Sequence, residues 1–312
     1  MRKIFATIAS AFVLLFMSCG NGDSSATSND DSDSTALCIG VLPTLECLPF
    51  YIAEQEGYFN DIPDGVKLHT YESAMDADTA FFFSHDDIIV TDMVKASVWR
   101  SRGDSIGVVF QNDLHLFLVT SSTSRLKHTK SVKEKIVAIT RNSSLDYLTD
   151  KILESVGMIS EDLNKPQINN IPLRAAMLNQ NQYDGALLPE PYASFCTSFG
   201  ANRINGSDSL NCSEYILAVV ANDSVMKHRK KDIDAMVKAY NKAVDFINQK
   251  KIKSRSRLIK YIPQAPSLPD TVFCVPEFRH AQQPTDTLNP QIAQWMRSRN
   301  LYGKDFSFVK PR

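Results

Sequence analysis

IGVLPTLECLPFYIAEQEGYF, Ile39 to Phe59, holds a strand, a tight loop and a helix start in immediate succession. The apolar run Leu37–Leu42 reads as a buried strand, and Pro43 ends it. Thr44, Leu45 and Glu46 form a short loop. Pro49 suits a first helical position, and Phe50–Glu56 continue the helix. Gly57 is placed like a left-handed residue after a helix end, so Phe59 can fold back on the helix. A loop at the carboxyl end of a strand, facing a helix N-terminus with free N–H groups, makes a ligand cradle. An ordinary βα unit of an α/β domain reads the same way, so the stretch alone leaves both open.

The whole chain sets the frame. It has 312 residues, enough for two lobes, and a formal net charge of −1, without the basic surplus of a nucleic-acid binder. Arg2 and Lys3 precede an apolar run, Ile4–Met17, too short to span a bilayer comfortably. The run ends in Phe16, Met17, Ser18 and Cys19, which looks like a bacterial lipoprotein signal, residues 1–18, with Cys19 as the lipidated first residue. Residues 20–35 are nearly all Gly, Asn, Asp, Ser and Thr, so residues 19–35 read as a disordered tether reaching roughly 50–55 Å when extended. Five cysteines follow, without a metal-ligand or redox spacing, and they read as free thiols, with Cys196–Cys212 the one conceivable pair. No cofactor or metal is expected.

Further along, Ser73 caps a helix to Phe83, whose FFF run reads as core. The apolar Ile88–Val90 ends in Thr91–Asp92, and either residue caps the helix from Met93. A second strand–loop–helix start follows Ile136–Thr140: Asn142, Ser143 and Ser144 precede a helix striped by Leu145, Leu148, Ile152 and Val156. Glu190 lies between Pro189 and Pro191, which fix its backbone, and Tyr192 follows. Ile233–Ile247 is strongly periodic.

The opening stretch, DDIIVTDM at residues 86–93 and YDGALLPEPYASFCTSFG at residues 183–200 resemble the periplasmic substrate-binding proteins of ABC transporters, in the branch of sulfonate, nitrate and thiamine-pyrimidine binders. The resemblance implies a two-lobed α/β fold of the type II periplasmic-binding-protein kind, with ligand held between lobes joined by two crossover strands. Residues 36–118 and 219–312 would form lobe 1, and residues 119–218 lobe 2. Thr44, Leu45, Glu46, Thr91, Asp92, Asn142, Ser143, Ser144, Glu190 and Tyr192 are the expected ligand residues. Three of them are carboxylates, which favours a cation or an N–H-rich heterocycle over an anion. The implied protein is a monomer, lipid-anchored at the bacterial cell envelope, with a small-molecule ligand and an ABC permease as partners. The alternatives are an enzyme on the same fold, like a pyrimidine synthase or a chorismate dehydratase, and a sensor or scaffold lipoprotein.

Overall fold

The computed structural model describes residues 35–207, 210, 216–250, 262, 275–284 and 289–308. The signal, most of the tether, Cys19, Cys212, Cys274 and residues 251–257 lie outside them. The opening apolar run forms strand β1 (Leu37–Val41), with Leu37, Ile39 and Val41 fully buried. The loop after it tightens into a 3-10 turn, Leu45–Cys47, and runs into α1 (Leu48–Gln55) with Pro49 in the first turn. Gly57, at φ 72°, takes the left-handed conformation that ends the helix, and Phe59 turns back into the core.

The chain then alternates: β2 (Val66–Thr70), α2 (Ala74–Phe82), β3 (Ile88–Asp92), α3 (Met93–Arg102) and β4 (Ile106–Asn112). With β9 (Leu217–Asn222) these strands make a five-stranded sheet in the order β2-β1-β3-β9-β4. Strands β2, β1 and β3 are parallel, and β9 runs against both its neighbours. A second sheet has the order β6-β7-β5-β8, from β5 (Leu116–Thr120), β6 (Val137–Ala138), β7 (Gly185–Pro189) and β8 (Asn202–Gly206). Its helices are α4 (Ser144–Glu154), α5 (Ile171–Asn179) and α6 (Tyr192–Ser198). The chain passes to the second sheet between β4 and β5 and returns between β8 and β9. It ends with α7 (Asp223–His228), α8 (Lys230–Lys250) and α9 (Pro290–Ser298). This is the expected two-sheet α/β architecture with two crossings.

Both expected lobe breaks fall inside strands. The expected break at 118/119 falls inside β5, whose ladder with β7 already begins at Leu116↔Pro189. The break at 218/219 falls inside β9, all of which pairs in the first sheet. A strand cannot be shared between sheets without breaking its ladder. Helix α9, expected with lobe 1, packs on α3 but also bonds to α4, where Trp295 Nε1 donates to Asp150 Oδ2 at 2.7 Å.

The core follows the apolar periodicity. Ile233, Met236, Tyr240, Val244 and Ile247 of α8 are buried, and α8 packs on α1. The Tyr240 ring lies 5.1 Å from Phe50 and 4.7 Å from Phe110. The FFF run splits: Phe81 is buried, while Phe83 is 73% exposed past the helix end. Cys38, Cys47 and Cys196 are free thiols, so Cys196 forms no disulfide.

Candidate functional site

Residues from both sheets line two adjoining cavities. The first holds about 70 Å³ and is walled by strand-end loops: Thr44 and Glu46 after β1, Thr91 and Asp92 at the end of β3, Thr140 and Ser143 before α4. Helices α2, α3 and α5 add Asp78, Lys95 and Arg174. The second holds about 260 Å³, with Leu45, His115, Glu190, Arg203 and Tyr240 in its wall. Glu46 and Leu217 border both. Carboxyl ends of strands are where open α/β sheets leave room for a ligand.

Asp92 does two jobs with one oxygen. Its Oδ1 accepts from Val94 N and Lys95 N, both at 3.0 Å, and so caps α3. The same atom accepts from Ser144 N at 2.9 Å and Ser144 Oγ at 2.8 Å. Ser144 opens α4 beside the other sheet, so one carboxylate joins two helix N-termini across the sheets. Ser143 caps α4 by accepting from Leu145 N at 3.2 Å and donates to Thr140 O at 2.7 Å.

Glu190 lines the second cavity, but its carboxylate is not bare. It accepts from Ser194 N at 3.0 Å and Ser194 Oγ at 2.9 Å, and forms an ion pair with Arg203 of β8. Its carbonyl accepts from Leu45 N at 2.9 Å, which ties the loop after β1 to the end of β7. Glu46 is 5% exposed and its Oε2 has no hydrogen-bond partner. Burial pushes its carboxyl up to about 7, against the attraction of His115 for the charged form.

Three expected residues line neither cavity: Ser144, whose N–H and hydroxyl are spent on Asp92, Asn142 and Tyr192. Asn142 is exposed at φ 54°, and its N–H goes to Asp146 Oδ2 at 3.3 Å. Asn tolerates the left-handed turn that starts α4 here, which explains its presence without a ligand. Tyr192 is buried at 2% exposure in the apolar cluster of the second sheet, among Ile171, Leu188 and Ala193. The first residue of α6 points into the core, so its ring stacks on no cavity.

Three charged groups of the first cavity had no place in the sequence reading. Lys95 Nζ meets Asp78 Oδ2 at 2.6 Å, a pair that cancels within the wall. Arg174 is 1% exposed; its Nη1 donates to Thr140 Oγ1 at 3.1 Å and to Ile168 O at 2.6 Å. The signal for it was in the spacing. Ile171, Arg174, Ala175 and Leu178 fall on one buried stripe of α5, so the arginine occupies a core position. The three carboxylates behind the expected cationic ligand thus differ in their surroundings. Glu190 is salt-bridged, Asp92 has one oxygen occupied by four N–H and O–H donors and keeps its charge, and burial pushes Glu46 up to about 7.

Residues 44–251 match the family described as NMT1/THI5 like. This chain belongs to the NMT1/THI5-like family. No curated protein matches it. Its fold is that of periplasmic binding proteins. The alkanesulfonate-binding protein SsuA from Xanthomonas axonopodis pv. citri, solved bound to MOPS, superposes with a TM-score of 0.72 at 16% identity, over 88% of this chain and 96% of that one. The periplasmic nitrate-binding protein NrtA from Synechocystis PCC 6803 gives 0.65 at 14% identity, over 78% and 69%. The desulfurization enzyme DSZB gives 0.63 at 10% identity, over 89% and 96%. At these identities the likeness is one of fold.

In this NMT1/THI5-like chain the matched span contains all ten expected site residues. Cys47, in the same loop, has its thiol pushed up to about 12 by burial, and its Sγ accepts from Leu42 N at 3.4 Å. A protonated thiol of this kind is a poor nucleophile. Among the described residues, no group of three or more His, Cys, Asp or Glu side chains is placed to hold a metal ion. No described helix is long and apolar enough to cross a membrane.

Proposed function

We propose that this chain captures a small solute between two lobes at the bacterial cell envelope and delivers it to an ABC permease. The observation that carries the reading is the first cavity, walled by the β1 and β3 ends of one sheet and by the loop before α4 of the other. A solute there touches both lobes, so its binding favours the closed arrangement and its release the open one. The lobes are the two sheets with their helices, hinged at the passages between β4 and β5 and between β8 and β9. The Asp92–Ser144 contact spans the lobes and is the one that opening must break. A lipid on Cys19 and the polar tether keep the monomer at the membrane surface; incorporation of a palmitate analogue, lost in Cys19→Ala, tests the anchor. The named functions of the SsuA and NrtA structures support the transport reading.

Native mass spectrometry of the full-length chain, purified in detergent without refolding, tests capture. A discrete extra mass that leaves on denaturation is the expected result. A bare mass, with no small solute raising the melting temperature, overturns it. The DSZB fold keeps a second reading in play, an enzyme on the same scaffold. Incubation with the co-purified molecule separates the two: capture returns it unchanged, and catalysis alters it.

A further inference from the structure

The last described residues, 289–308, lie on both lobes. Helix α9 seats on the first lobe by its apolar side: Ile292 and Met296 are buried, and α9 packs on α3. The residues after it run along the C-terminal end of α3. Lys304 N donates to Ser101 O at 2.9 Å, and Arg100 Nη2 donates to Ser307 O at 3.1 Å. Gly303 comes so near that any side chain there would collide with Ser101 O.

Toward the second lobe the same helix presents polar groups. Trp295 Nε1 donates to Asp150 Oδ2 at 2.7 Å, and Arg299 pairs with the same oxygen and donates to Ser160 Oγ. The Trp295 and Tyr147 rings meet edge to face at 5.7 Å. Asp150 and Tyr147 stand on α4, and Ser160 opens the turn after it. Asp150 is buried, and its other oxygen accepts from Lys165 Nζ at 2.8 Å. Lys165 also holds Asp146 at 2.6 Å. It lies between Asn164 and Gln167, which bridge to Ile136 and Ile139 of the second lobe. Asp150 therefore keeps a cation of its own lobe when α9 departs, and Arg299, its side chain already 30% exposed, goes to water. Exposing the apolar seat on α3 has no such compensation.

We propose that residues 289–308 are a strap between the lobes, which stays on α3 and lets go of α4 as the cleft opens, so that the Asp150 clasp sets how often the empty protein opens. This rests on the reading of the chain as a two-lobed receptor that opens and closes. Parting Ser144 from Asp92 moves α4 away from α3, and α9 cannot follow both. The attachment whose groups find partners after parting is the one that yields.

Three N–H groups report the opening. Ser144 N donates to Asp92 Oδ1, Leu45 N to Glu190 O and Ile171 N to Glu72 O, each at 2.9 Å and each from one lobe to the other. All three open a helix or a 3-10 turn, where an N–H has no partner in its own element. Hydrogen exchange of the full-length chain in detergent, resolved to single residues by mass spectrometry, compares them with amides inside β3 and β7, which exchange only when the sheets unfold. Trp295→Phe keeps the ring and loses the N–H; Arg299→Met loses the charge. In both, the three reporters are expected to exchange about tenfold faster than in the wild type, because the open state lacks the clasp as the unfolded state does. Met296→Ala, in the seat that the open state retains, is expected to speed only the sheet amides. Reporters that keep their wild-type rate in Trp295→Phe and Arg299→Met overturn the strap and leave the two-lobed receptor standing. Met296→Ala speeding the reporters also overturns it, because α9 then leaves α3. If Arg299→Met or Met296→Ala does not fold, Trp295→Phe decides alone. If the wild-type reporters exchange no faster than the sheet amides, the lobes do not part, and the strap falls with the reading it rests on.

Discussion

The two cavities share Glu46 and Leu217 but treat their arginines in opposite ways. In the second, Arg203 has Glu190 and Arg279 has Asp113 Oδ2 at 3.3 Å. In the first, Arg174 has hydroxyl and carbonyl partners and no acid. Across that wall Asp92, bonded to neutral N–H and O–H donors, balances the Arg174 charge without pairing with it. The second cavity is the roomier part of the cleft, about 260 Å³ against about 70 Å³.

The largest expected effect sharpens the account of the negative charge in the first cavity. Asp92→Ala removes one oxygen that serves four donors, two on α3 and two on Ser144. Loss of a helix cap together with orphaned buried donors costs roughly 3 kcal/mol. Urea unfolding of Asp92→Ala beside Ser144→Ala measures it. The serine variant loses only the hydroxyl bond and is expected to cost about 1 kcal/mol. Equal costs for the two would mean that Asp92 acts through Ser144 alone and leaves α3 uncapped.

Next in size is Glu46, the group common to both cavities. Burial, opposed by His115 and Thr44 and assisted by Glu190, raises its carboxyl from an ordinary value near 4.5 to about 7. Cys47 and Tyr240 also face it. The folded state thus holds a proton that the unfolded chain releases between those two values. Stability falls as pH rises from about 4.5 to about 7 and is level above that. Glu46→Gln is neutral throughout, so it gains up to about 3 kcal/mol over the wild type at pH 8 and nothing near pH 4. Denaturation curves at the two pH values measure this. A pH-independent difference would place the Glu46 proton elsewhere.

Much of this arrangement was legible in the chain. Caps announce themselves, because a short polar side chain ahead of an apolar periodic run has few other uses; Ser73 caps α2 as expected, Asp92 is the one of the Thr91–Asp92 pair that caps α3, and Ser143, among the polar residues ahead of α4, caps that helix. The strand-end loops followed from where the apolar runs stop. What the chain hid is of two kinds. Contacts at long sequence range leave no local mark: Ser144 lies 52 residues from Asp92 and touches the same oxygen as its near neighbours. Strand β8 has the sequence NRING and a half-buried pattern, so neither the strand nor the Arg203 it brings to Glu190 stood out. Arg174 was different. Its position on the apolar stripe of α5 was visible, but a single arginine in a helix reads first as a solvated one.

The smallest expected effect is the one that breaks the comparison if it fails. Glu190→Gln leaves Arg203 unpaired, and the Arg203 side chain is one-third exposed, so solvent screens part of the loss. The amide can still accept from Ser194. A cost of about 1–2 kcal/mol is expected in urea unfolding, with fold and solute capture retained. Arg174→Met is more deeply buried and yet should cost less, within about 1 kcal/mol of the wild type in the absence of ligand. It trades two hydrogen bonds for relief of a desolvated charge by a side chain of similar length. Burial alone ranks the two variants the other way. If Arg174→Met proves the more damaging, Arg174 is held by interactions that satisfy it within the fold, and the first cavity is as complete as the second. If Glu190→Gln is the more damaging, the difference between the walls is electrostatic: Arg203 is held by a carboxylate, and Arg174 only by a hydroxyl and a carbonyl.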